Sequence, residues 1–241
     1  MYPTLLIFGT AVSTYRMACI AACLCVPAVI VLRRARFGLR AWQTAALCAA
    51  VILAGFIGCN ALYWLENPDV LSRTGWRFSG FSFFGCLLLA PPVTILLARF
   101  FRIPAGNATD LLADGLPPFL GIVRIGCFLG GCCGGIPHLA DNGRIFILPV
   151  QLIECGLDFL IFALILLLEK KHIFDSFRLP VFFVLYAPVR FALEFLRETD
   201  KNVLGLSLAQ VYSIAIFAVG AVCLICKVAK DRRLREQNHP I

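Results

Sequence analysis

Seven stretches of this chain are each apolar for about 20 residues, the length an α-helix needs to cross the hydrocarbon of a bilayer. They cover roughly residues 4–32, 41–65, 81–101, 111–129, 150–168, 179–196 and 207–226. In lipid each backbone N–H and C=O must find its partner within its own segment, so each stretch predicts a helix. The connectors leave no room for a second soluble domain. The expectation is one all-α integral membrane domain over residues 1–241, with a basic tail at 227–241. Composition agrees, since 15% of residues are charged where a soluble domain carries about 25%. The first stretch has no basic n-region and carries Arg16 in its middle, so it reads as a span and not as a removable signal.

A net charge of +8 would suit nucleic acid, but its placement argues against that partner. Arg33, Arg34, Arg36, Arg40, Arg99, Arg102, Lys170, Lys171, Arg178, Lys227, Lys230, Arg232, Arg233 and Arg235 follow odd-numbered spans, 14 in all. The connectors on the other side hold 5: Arg73, Arg77, Arg144, Arg197 and Lys201. Short cytoplasmic loops are the basic ones, which puts the C-terminus in the cytoplasm and the N-terminus outside. An odd number of spans makes the two assignments agree.

Most of the 12 cysteines lie inside apolar spans, where cysteine behaves as a small hydrophobe. Cys127, Cys132 and Cys133 are different, because they flank Gly130-Gly131 and Gly134-Gly135 at the end of span four. A disulfide, or with His138 a zinc site, is conceivable there. Neither a C-x4-C-C spacing nor a single loop histidine is a zinc signature, so no metal and no other cofactor is expected. Span three holds Pro91-Pro92 and span four Pro117-Pro118. Proline frees backbone carbonyls that lipid does not tolerate, so span four is expected to border protein or a wet cavity.

A few polar residues persist at membrane depth, where a charge costs about 2.5–3.5 kcal/mol on the lenient insertion scale. Arg124 stands in an otherwise uncharged run. Gln151, Glu154 and Asp158 fall at i, i+3 and i+7, one stripe of span five. Tyr186, Arg190, Glu194 and Arg197 fall at i, i+4, i+8 and i+11, one stripe of span six. One account is an ion-pair network that locks the bundle, although a neutral core does that at lower cost. The other is a polar cavity open to the outer leaflet and lined by Arg124, Arg190, Arg197 and carboxylates. Guanidinium suits phosphate, because its planar fork donates two hydrogen bonds and keeps its proton. A phospholipid headgroup is the natural occupant.

The motifs that carry these residues resemble a known family. Arg124-Ile125-Gly126-Cys127-Phe128-Leu129-Gly130-Gly131, Pro149-x-Gln151-Leu152-x-Glu154 and Tyr186-x-x-x-Arg190-Phe191-x-x-Glu194-Phe195-x-Arg197 are similar to prolipoprotein diacylglyceryl transferase. Gly205-Leu206-Ser207-x-x-Gln210-x-x-Ser213 continues the likeness, and Tyr15 and the 80–85 segment fit its early part. The resemblance implies a multi-pass enzyme of the bacterial cytoplasmic (inner) membrane. Its partners would be phosphatidylglycerol, a preprolipoprotein signal peptide and membrane lipid. It would move diacylglyceryl onto the lipobox cysteine thiol and release glycerol phosphate. Tyr15, Arg124, Glu154, Arg190 and Glu194 would then be catalytic, with Arg124, Gln151, Arg190, Arg197 and Gln210 binding substrate.

Some positions depart from the family's pattern. Val123 precedes the arginine, Cys127 and Gly130 replace asparagines, Cys132 replaces a glutamate, and Phe84 replaces a histidine. With Phe84 there, Tyr15, Glu154 and Glu194 remain as candidate bases. Two other readings accompany this one: a related lipid-headgroup transferase with another acceptor, and a lipid-binding or transporting bundle without chemistry. A transporter would show internal symmetry, which the sequence lacks.

Overall fold

A computed structural model describes residues 3–7, 10–74, 80–139, 145–201 and 203–238. Arg77 and Arg144 lie outside the described residues, as do the side chains of His138 and Arg235. The chain forms α1 (Thr14–Arg33), α2 (Ala41–Glu66), α3 (Pro68–Thr74), α4 (Phe83–Phe100), α5 (Ala105–Gly130), α6 (Val150–Lys170), α7 (Arg178–Leu193) and α8 (Leu208–Asn238). Single 3-10 turns, Arg34–Phe37 and Glu194–Leu196, extend α1 and α7. All of these helices but α3 are long and apolar enough to cross a membrane, which makes seven candidate spans among the described residues. Pro91-Pro92, Pro117-Pro118 and Pro188 sit within α4, α5 and α7 without ending them. Leu24, Leu32, Leu96, Phe100, Val222 and Ile225 stand exposed, as side chains facing lipid must.

Three boundaries differ from the sequence reading, each for a physical reason. The first span starts at Thr14, because Thr4–Ile7 and Thr10–Ser13 pair as antiparallel strands β1 and β2, with Thr4 opposite Ser13. A short apolar run does not distinguish strand from helix, and the β-branched Thr4, Ile7, Thr10 and Val12 favour the strand. The fourth span starts at Ala105, so buried Asp110 belongs to it along with Asp114. A hydropathy count stops at Asp110, and one turn further on Asp114 faces Arg33 at 3.3 Å. The last helix continues through the basic tail to Asn238, helped by a Lys227–Asp231 pair at 2.8 Å.

The chain divides into two compact units, one of residues 23–115 and one of residues 1–22 with 116–241. In the first, α2 and α4 meet backbone to backbone. A Cβ added at Gly58 would lie 2.3 Å from the Gly85 carbonyl oxygen, so only glycine permits the crossing. Ser82 ties the two helices further, its N–H donating to the Cys59 carbonyl (3.0 Å) and its hydroxyl to Glu66 (3.0 Å). The second unit contains α6, α7 and α8, the β1–β2 hairpin, and a second antiparallel pair, β3 (Pro137–Leu139) with β4 (Ile145–Ile147). It also contains Tyr15, Arg124, Gln151, Glu154, Asp158, Tyr186, Arg190, Glu194, Arg197 and Gln210.

Candidate functional site

The site grows from Glu154. Its helix, α6, turns Gln151, Glu154 and Asp158 to one side, and all three are buried. A bare carboxylate there would be prohibitively costly, so cations must come to it. Arg124 of α5 reaches Oε1 with Nη2 at 2.8 Å. Arg197, just after the turn that ends α7, reaches Oε2 with its own Nη2 at 2.5 Å. Arg190 of α7 stands 3.9 Å from Oε1 and makes its closer pair with Glu194, Nη1 to Oε2, at 2.7 Å. Three guanidiniums thus share two glutamates, and the paired cluster carries one positive charge more than negative. That surplus complements the single negative charge of a phosphodiester.

The remaining predicted residues fall around this cluster in distinct ways. Asp158 is buried one turn beyond Glu154, and among the described residues neither of its oxygens has a hydrogen-bond partner. Tyr186 is buried and stacks on Phe182 with centroids 5.3 Å apart. Gln210 helps start α8. Its Oε1 accepts from the Ser207 N–H at 3.0 Å while its own N–H donates to the Ser207 hydroxyl at 3.2 Å, a reciprocal capping box. The Ser207 hydroxyl also donates to Glu194 Oε1 at 3.1 Å, tying the last helix to the cluster. In the sequence Ser207-x-x-Gln210 stands only as part of the family likeness, and neither the cap nor its link to Glu194 is read from it.

Gln151 bonds to the end of α5. Its Nε2 donates to the Cys132 carbonyl at 2.6 Å and so pins the turn that leaves α5. Tyr15 lies beside the same turn. Glycines let α1 come this close, for a Cβ at Gly126 would lie 2.4 Å from Cβ of Ala18. The Tyr15 hydroxyl bonds to the Cys19 thiol. Cys127, Cys132 and Cys133 hold their sulfurs within 4.8 Å of one another. Hydrogen bonds from Cys127 and Cys132 hold the Cys133 thiol well below the ordinary thiol range, and the guanidiniums of Arg124 and Arg197 add to this. Phe84, where a base was missed in the sequence, is buried in α4.

A multi-pass helical membrane protein with an arginine-rich centre in its core is the class this architecture defines. Residues 3–226 match the prolipoprotein diacylglyceryl transferase family, and the chain belongs to it. It is therefore a membrane-embedded diacylglyceryl transferase. Named relatives agree. The phosphatidylglycerol–prolipoprotein diacylglyceryl transferase of Nitrosomonas europaea is 32% identical over 192 residues, covering 72% of this chain and 68% of that protein. The one from Dehalococcoides mccartyi strain BAV1 is 27% identical over 204 residues, 78% of each. The second such enzyme of Clostridium perfringens strain 13 is 25% identical over 201 residues, 76% of this chain and 78% of that one.

Proposed function

We propose that this chain transfers the diacylglyceryl group of phosphatidylglycerol to the lipobox cysteine thiol of a preprolipoprotein. It would act as one domain in a bacterial cytoplasmic membrane, with its N-terminus outside and its C-terminus in the cytoplasm. The observation that carries the reading is the three-arginine, two-glutamate cluster built on Glu154. The acceptor thiolate attacks the glyceryl carbon bonded to the phosphate oxygen. The C–S bond forms as the C–O bond breaks, and the electron pair leaves on the phosphate oxygen of glycerol phosphate. Arg124, Arg190 and Arg197 hold the phosphate and stabilise the charge that gathers on it. Glu154 and Glu194 position those guanidiniums, and the thiol's proton must pass to another group.

The test gives purified protein phosphatidylglycerol and a lipobox peptide and follows glycerol phosphate release together with peptide mass gain. A Cys→Ser peptide is the control, since a serine hydroxyl is a much weaker nucleophile near neutral pH. The expected result is release with the cysteine peptide only, lost in Arg124→Ala. Background release from wild type that still binds the lipid would replace this reading with a lipid-binding module.

A further inference from the structure

The three cysteines at the end of α5 are not used by the mechanism above, and their arrangement has a specific origin. Gly131 adopts a left-handed φ of 75°, the Gly131 N–H donates to the Phe128 carbonyl (3.3 Å) and the Cys132 N–H to the Cys127 carbonyl (3.1 Å). These two bonds define a helix-ending motif that folds the residue two past the cap back over the helix's last turn. The two side chains it brings together, ordinarily apolar, are here Cys127 and Cys132. Cys133, itself left-handed at φ 60°, turns its sulfur into the same place. A C-x4-C-C spacing that is no metal signature along a plain helix becomes one at this turn.

We propose that Cys127, Cys132 and Cys133 bind one zinc ion, and that its open fourth position takes the acceptor thiol and holds it as a thiolate. The second half rests on the transferase reading; the metal site does not. Zinc–sulfur bonds of about 2.3 Å in a tetrahedron place sulfurs about 3.8 Å apart. Sulfurs within 4.8 Å of one another therefore need only a small inward shift. Cys127 is buried in the helix and fixed, whereas Cys132 and Cys133 are exposed on the turn and can adjust. Gln151 anchors that turn through the Cys132 carbonyl, as an outer-shell partner does. Three thiolates against a divalent ion leave the site anionic, and Arg124 lies one helical turn before Cys127.

The chemistry answers the need for a base. A thiol that coordinates zinc gives up its proton, here to solvent as the peptide binds. The bound sulfur then attacks the glyceryl carbon, the thioether leaves the metal, and glycerol phosphate departs from the arginines. No electron transfer is involved, and three protein thiolates with an open place are what such a step requires.

The experiment measures metal by mass spectrometry on wild-type protein purified without chelator; one zinc per chain is expected. Cys132→Ser combined with Cys133→Ser should lose the metal while still binding phosphatidylglycerol, which reports an intact fold. Cys226→Ser, about five turns into α8, should keep it. Stripping the zinc should slow glycerol phosphate release about 100-fold or more, within the range for losing proton-transfer help, and zinc should restore it. Cobalt in place of zinc should give a thiolate charge-transfer band that shifts with the cysteine peptide and not with its Cys→Ser form. Full turnover by metal-free protein would overturn the zinc site and leave the transferase reading intact. So would a disulfide among the three cysteines in protein that turns over. A bound metal whose cobalt spectrum ignores the peptide would overturn the thiol-binding role. Zinc and the spectral shift without any release would support the site and sink the transferase reading instead.

Discussion

The α2–α4 crossing and the face between α6 and α7 both hold helices together in lipid, but by opposite means. At the first, Gly58 and Gly85 remove side chains so that backbones touch. At the second, Arg190 and Arg197 of the α7 segment reach across to Glu154 of α6. Lipid tails are as apolar as leucine, so the glycine contact gains its strength from close packing and hydrogen bonds alone. A charged contact in the same solvent is costly unless it is well paired. The cluster keeps a third arginine that pairing alone does not require. The first crossing is thus sensitive to added atoms, and the second to lost charge.

Breaking the charged side should give the largest effect. Arg124→Ala is expected to lower glycerol phosphate release by about 10³-fold. Its thermal midpoint in detergent should stay near wild type, because Arg197 still neutralises Glu154. A collapsed midpoint with normal turnover per folded molecule would make Arg124 a structural residue like Gly58. Arg124→Lys sharpens the same point. It keeps the charge but loses the planar fork, so a fall of about 10-fold or more is expected in turnover. Wild-type activity in that variant would mean the site reads charge alone.

The glycine side should respond in stability. Gly58→Ala places a Cβ against the Gly85 carbonyl and should destabilise by about 1–3 kcal/mol. Turnover per folded molecule should remain within about twofold of wild type, far below the effect of losing a transition-state donor. A kinetic defect at an unchanged midpoint would erase the distinction between the two regions. The smallest effect is expected from Ser207→Ala, which removes a helix cap worth about 1 kcal/mol. Because the same hydroxyl holds Glu194, a modest drop in release should accompany the lower midpoint. A shift in stability alone would leave Glu194 held sufficiently by Arg190.

Hydropathy made the spans legible, because lipid leaves the backbone one economical choice over 20 apolar residues. It failed where a partner decides the outcome. Asp110 fell outside the span read from the sequence yet lies buried within α5, and 4–13 looked helical until it paired with itself. Spacing placed Gln151, Glu154 and Asp158 on one face of α6, and they share it. Spacing could not tell that the Gln151 amide pins a turn, because its partner, the Cys132 carbonyl, comes from a different element. The same holds for the cysteines. Their proximity depends on a left-handed Gly131, and sequence alone does not say which of four neighbouring glycines ends the helix.

The pairing order around Glu154 has a consequence for how the protein is made. Arg124 and Glu154 lie on consecutive spans joined by the short 131–149 segment, and Arg190 pairs with Glu194 four residues along its own chain. Each charge therefore meets an opposite charge within the hairpin or helix that carries it, before later helices are synthesised. A segment can enter the bilayer already neutralised and avoid the cost of a lone ion in hydrocarbon. Arg197 joins later, and Ser207 follows at the threshold of the last helix. A ribosome halted before Ser207 would leave a threaded, ion-paired and unfinished protein, whose Glu194 awaits a hydroxyl that has yet to be translated.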